Sequence, residues 1–163
     1  MSKCCICGDN AYISFTASYW SYAKFSTPET NTISYCYDCF RRIIVQNDIV
    51  NPEKFNACDR LIDPLREIMF HIVIADEFAG IENWELVKIH LDRARSWLSY
   101  ARGLKQLNQK YVDILADKVN KMYSLLENKN VDEWNAEMDL IVPSVIHTVF
   151  EAFAECLVNK KNE

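Results

Sequence analysis

The chain predicts an α+β protein that is mainly α, and three observations carry that prediction. Two Cys-x-x-Cys pairs, Cys4-Cys5-Ile6-Cys7 and Cys36-Tyr37-Asp38-Cys39, bracket 28 residues rich in Tyr, Ser, Thr and Phe. Within the bracket, apolar and polar residues alternate with the period of half-buried strands. Beyond residue 51 the apolar residues recur instead at spacings of three and four, the signature of helices that bury one face. A small module over residues 1–50 and a bundle of four to five helices over residues 51–163 follow from that change of period.

Residues 11–16 and 21–26 read as two strands, and Thr27-Pro28-Glu29-Thr30-Asn31 as the turn or loop after them. A third short strand over residues 32–35 delivers Cys36. Phe40-Arg41-Arg42-Ile43-Ile44-Val45 reads as the first turns of a helix, which Asn51-Pro52 ends. Asp63-Pro64 then looks like a helix start, a capping residue followed by proline at the first helical position. Leu65, Ile68, Met69, Ile72, Val73 and Phe78 follow, and Gly80 is the stop. Asn83 caps the next helix, whose buried stripe is Val87, Leu91, Ala94, Leu98 and Ala101. Gly103 is either a mid-helix glycine or the bend of a helical hairpin. Leu104, Leu107, Tyr111, Leu115, Val119, Met122 and Leu126 carry the period on to Asn128. A short helix through Trp134, Met138 and Ile141 stops at Pro143, and a last apolar helix runs from Val145 to Leu157.

The cysteine pairs carry the chemistry. A two-residue gap lets both sulfurs of one pair reach a single ion, and four thiolates complete a tetrahedral shell, so Cys4, Cys7, Cys36 and Cys39 predict one structural Zn2+. Gly8 sits where such a knuckle needs backbone without a Cβ. Four thiolates also suit an iron–sulfur cluster, although paired knuckles favour zinc. The shell is closed, so no position is left for a catalytic water, and the chain reads as non-enzymatic. A module of about 50 residues buries little surface by itself, so metal ligation supplies much of its folding energy. Of seven cysteines, Cys5, Cys58 and Cys156 remain, read as reduced thiols, with Cys5 within reach as a competing ligand.

Half of the residues are hydrophobic, enough for a real core and against disorder. No stretch approaches the ~18 unbroken apolar residues of a membrane span. No basic-then-apolar leader precedes Cys4, which predicts a cytoplasmic, reducing location without a membrane. Net charge is −5. Residues 1–60 balance six basic against six acidic side chains, whereas residues 61–163 hold twelve and seventeen. The module therefore lacks the basic face by which a nucleic-acid reader declares itself.

Around the cysteine knuckles a family resemblance emerges. Cys4-x-x-Cys7-Gly8 and Tyr35-Cys36-x-Asp38-Cys39 running into a helix resemble the C4-type treble-clef zinc finger of the Clp protease ATP-unfoldase subunit. The resemblance covers about the first 45 residues. It implies a zinc-bound treble clef, the same four ligands and a surface for protein binding or self-association. The segment between the pairs is longer here, and no phosphate-binding glycine loop exists in a chain with three glycines. Cys7-Gly8-Asp9-x-Ala11 and Cys39-Phe40-Arg41-Arg42 also resemble nuclear-receptor DNA-binding fingers, but the pairs lie further apart and no second four-cysteine module follows.

Other candidates have both a bland and a sharp reading. Tyr19, Trp20 and Tyr22 lie at a hairpin tip, as protein-docking anchors or as packing beneath the finger. Arg41 and Arg42 stand where a DNA reader places contacts, beside Asp38, Asp48 and Glu53 that cancel them. Lys88, Arg95 and Arg102 repeat every seven residues and form one stripe with Lys105 close by, a solvated face or a contact for an acidic partner. Glu67–His71 and His147–Glu151 are each one helical turn apart and read as edge-of-core pairs. The functional expectation is a protein-interaction module, an adaptor, inhibitor or regulatory subunit. The alternative is a nucleic-acid-binding regulator using the finger helix and the 88–105 stripe.

Overall fold

The computed structural model describes residues 3–4, 7–10, 13–16, 32–36, 38–39 and 52–158. The expected strand at 21–26, the turn at 27–31, the finger helix from 40, and Cys5, Tyr19, Trp20, Tyr22, Arg41 and Arg42 lie outside them. The chain divides into two compact units, Met1–Phe55 and Asn56–Glu163. Among the described residues helix dominates, in four helices, so the chain is mainly helical.

In the first unit, β1 (Ile13–Thr16) pairs antiparallel with β2 (Thr32–Tyr35), with Ile13 opposite Tyr35 and Thr16 opposite Thr32. The ladder places the residue after β2, Cys36, at a fixed end of the pair.

The helices are α1 (Pro52–Gly80), α2 (Trp84–Arg102), α3 (Gln109–Asn128) and α4 (Val131–Val158). Their cross-links run head to tail between successive helices. His71 on α1 meets His90 on α2. Arg102 on α2 meets Asp113 on α3, and Asp92 meets Tyr123 further along the same pair. Lys121 on α3 meets Glu137 on α4, and Trp134 on α4 closes the ring to Asp76 on α1. Short connections between antiparallel neighbours make this an up-down-up-down bundle.

Several sequence signals act as expected. Asn83 accepts from the Leu86 backbone N–H at 3.2 Å, capping α2. Asn108, which the sequence reading did not single out, does the same for α3 through Lys110, at 3.1 Å. Gly80 is the last residue of α1, and Gly103 ends α2 as the bend of a hairpin rather than a mid-helix residue. Val87, Leu91, Ala94, Leu98 and Ala101 are all buried. Trp134 is the largest wholly buried side chain.

Three boundaries are corrected. Leu104 and Leu107, expected on the helix that runs to Asn128, lie in the connection after Gly103, because α3 begins only at Gln109. Pro64 does not start a helix. The first helical residue is Pro52, twelve positions earlier, and Pro64 lies inside α1. Proline lacks the N–H that would bond the carbonyl one turn back, and its ring disturbs that turn. Arg66 braces the place: its guanidinium reaches Asp59 Oδ1 at 3.1 Å, Asp63 Oδ1 at 2.6 Å and the Asp59 carbonyl at 3.4 Å. Pro143 likewise lies inside α4, joining the two expected helices into one. Met138, Ile141, Val145 and Val149 are buried on both sides of it, and that continuous stripe outweighs one missing hydrogen bond. Of the four to five helices expected, the described residues form four.

By length and composition Val131–Leu157 meets the requirements of a membrane span, but half of its most apolar window is buried inside the protein. It is the core helix of the bundle.

Candidate metal centre

The first knuckle is built by backbone. The Cys4 N–H donates to the Asp9 carbonyl at 2.7 Å, and the Gly8 N–H returns to the Cys4 carbonyl at 3.0 Å. Closing so tight a loop puts Gly8 at φ +78°, a left-handed conformation that a side chain would strain. Lys3 and Asn10 bridge the base of the loop, and Lys3 Nζ donates to Asn10 Oδ1 at 2.9 Å. The second pair arrives differently: β2 carries Cys36, and Asp38 and Cys39 begin a helical turn.

The four sulfurs converge although 28 residues separate the pairs. All four lie within 4.8 Å of one another, and Cys7 Sγ is 3.6 Å from Cys36 Sγ. A tetrahedron with metal–sulfur bonds of 2.3 Å has sulfur–sulfur edges of roughly 3.8 Å. The cluster therefore fits a metal ion such as zinc with adjustments below an ångström. Cys4 and Cys39 are buried, Cys36 is half-buried and Cys7 is exposed, so the centre has one solvent-facing edge.

Electrostatics point the same way. Hydrogen bonding with Cys36 and burial, with the Cys7 and Cys4 thiols adding, push the Cys39 thiol up to about 12. For Cys7, a hydrogen bond from the Asp9 backbone pulls the pKa down, but desolvation and the thiols of Cys36 and Cys4 outweigh it. Four sulfurs this close resist becoming anions together unless a cation sits among them. Cys7 also donates to Asp9 Oδ2 at 3.4 Å.

The remaining candidates are placed as follows. Lys88, Arg95 and Arg102 are exposed on α2, and each has a partner. Lys88 pairs with Asp92 at 2.7 Å and Arg102 with Asp113 at 2.8 Å. The Arg95 guanidinium lies 3.9 Å from the centre of the Tyr123 ring, and Tyr123 donates to Asp92 at 2.5 Å. His147 meets Glu151 at 3.0 Å in a largely exposed pair. His71 turns away from Glu67 and toward His90, with Nδ1 atoms 3.0 Å apart and Phe78 stacked on the His90 ring. Burial first lowers the pKa of both imidazoles; His90 and then Arg93 add to it for His71, and Arg93 for His90.

Sequence reasoning missed two features. Cys58 and Cys156 are not reduced thiols: they form a disulfide between α1 and α4. The first residues of α1 and the last of α4 meet at one end of an up-down bundle, and that topology was the available signal. The second is a polar knot on Glu155, which accepts from Tyr111 Oη and from Asn108 Nδ2 at 3.1 Å and pairs with Lys110 at 3.3 Å. Hydrogen bonds from Tyr111 first and Asn108 next hold its carboxyl below the usual carboxylate range.

No family model matches the chain, and no curated protein or solved structure is significantly similar to it.

Proposed function

We propose that the four cysteines hold one structural zinc ion in a treble-clef module, and that the protein acts without catalysis as an interaction module of a larger assembly. The observation that carries this reading is the convergence of four thiols from two distant segments, with spacings near those of a tetrahedral zinc–thiolate shell. Four thiolates leave no open coordination position, so the ion organises structure. Its role is to stiffen the segment between the knuckles, where Tyr19, Trp20 and Tyr22 supply aromatic anchors for a protein partner or a second copy. The resemblance to the Clp unfoldase finger supports the same use of the module.

Nucleic-acid binding through the 88–105 stripe is the weaker reading. Lys88 and Arg102 already face carboxylates, and Arg95 faces an aromatic ring. Those three cations of the stripe are already engaged, which weakens their call on a phosphate backbone.

Two measurements test the proposal together. Elemental analysis of the purified chain should give one zinc per chain, and a metal-free chain or an iron content refutes the centre. Affinity capture with the zinc-loaded chain and with Trp20→Ala should recover the same partner more strongly with the former. Equal capture removes the aromatic tip, and tight binding to DNA or RNA that weakens steeply with salt replaces the interaction reading.

A further inference from the structure

The Cys58–Cys156 disulfide sits at the wall of a cavity. The cavity measures about 260 Å³ and is lined by Leu61, Ile62, Leu107, Tyr111, Glu155 and Cys156, among others. Cys58 is 3% exposed and does not line it. Cys156 lines the cavity and is half-buried. Cys58 is therefore shielded by the core, whereas Cys156 borders a cavity and keeps part of its surface in solvent. The volume is below that of a drug-sized ligand site, which runs from about 300 Å³. It admits the thiol-bearing arm of a small molecule.

We propose that Cys156 is a site of thiol–disulfide exchange with small thiols, and that the bond is a redox-responsive clamp on the bundle. Exchange requires a thiolate to approach one sulfur in line with the bond, so access decides which sulfur is attacked. A small thiolate enters the cavity and bonds to Cys156 Sγ. The Cys156–Cys58 bond breaks, its electron pair leaves on Cys58 Sγ, and that sulfur takes a proton from water. The products are a mixed disulfide on Cys156 and a thiol on Cys58. A second small thiolate attacks the added sulfur, releases Cys156 as a thiol and leaves as a small-molecule disulfide. Each step is balanced by the thiol itself. The clamp joins positions 98 residues apart, so exchange unties the start of α1 from the end of α4.

Glutathione is the probe. The zinc-replete, full-length oxidised chain is exposed to reduced glutathione, quenched by thiol alkylation and mapped by peptide mass spectrometry, which separates these two cysteines from the metal cluster. The expected result is glutathione on Cys156 and the alkyl group on Cys58, with at least a tenfold excess over the reverse. Adducts on Cys58, an even distribution, or exchange only after denaturation overturns the proposal. Leu61→Trp fills the cavity from α1 and keeps both cysteines. It should slow adduct formation at least tenfold, and an unchanged rate also overturns the proposal.

Discussion

Trp134→Phe tests how the bundle closes α4 onto α1. The Trp134 ring is wholly buried, stands edge-on to Trp84 with centroids 5.8 Å apart, and donates Nε1–H to Asp76 Oδ1 at 2.9 Å. Phenylalanine keeps an aromatic face and loses the donor. A hydrogen bond to a charged group contributes about 1.5–3 kcal/mol, and Asp76 is partly solvated, which argues for the lower end. The cavity left where an indole becomes a phenyl ring adds about 1 kcal/mol. The expected loss is about 2.5 kcal/mol at neutral pH, read as a lower urea midpoint with unchanged slope. The loss also depends on pH in a defined direction. Burial raises the Asp76 pKa, and the Trp134 hydrogen bond opposes that rise. Removing the donor raises it further. A carboxyl whose folded pKa lies above its unfolded value gains stability as pH falls through the folded pKa, and the gain levels off below about 3.8. The variant and the parent should therefore converge as pH falls through that window. Asp76→Asn should remove most of the convergence. A loss below 1 kcal/mol, or one independent of pH, refutes the role assigned to this pair.

Four further outcomes follow from the geometry. Cys39→Ser should abolish stoichiometric zinc and expose the backbone amides of residues 3–39 to hydrogen exchange while those of residues 58–157 stay protected; full zinc content refutes the ligand set. Cys58→Ser with Cys156→Ser opens a loop of 98 residues, so the bundle should lose up to roughly 4–5 kcal/mol in urea denaturation; equal midpoints with and without the bond refute its structural weight. His71 and His90 have folded pKa values below 6.5, so stability should be full above that pH and fall as pH drops through 6.5 toward the folded values, and a double substitution by Gln should flatten that segment of the profile. Under the proposed interaction reading, Arg95→Glu with Arg102→Glu should leave affinity for a captured partner unchanged, measured by titration calorimetry, whereas a large loss would place the stripe in that interface.

Much of this structure was legible because its causes are local. Asn83 caps through its own side chain, Gly80 and Gly103 end helices, and the α2 stripe is set by a period of 3.6. The metal centre was legible because ligand spacing within each pair is also local, and chemistry demands that two pairs meet. The prolines misled for a physical reason. Pro64 and Pro143 each remove one backbone hydrogen bond, but apolar burial on both sides of each recovers more than the lost bond, and no local rule sees that burial. The partners of the basic stripe were hidden in the same way. The seven-residue recurrence of Lys88, Arg95 and Arg102 is visible on one helix, whereas Asp113 and Tyr123 lie on the next.

The cysteines show how far arithmetic on a sequence reaches. With four sulfurs given to a metal, three remain, and an odd remainder suggests reduced thiols. Pairing depends on which helix ends meet, and only the topology brings Cys58 to Cys156. The two sets impose opposite demands. To hold a metal ion the cluster must be thiolate, and its Cys7 and Cys36 sulfurs are 3.6 Å apart, near enough to oxidise to one another if unoccupied. The bundle pair is already oxidised. A bound cation ties up the thiolate lone pairs of the first set, so occupancy of the centre lets both states coexist in one chain. Loss of metal under oxidising conditions should then convert the cluster to disulfides while leaving Cys58–Cys156 in place. That order of events follows from the sulfur positions and does not depend on any partner.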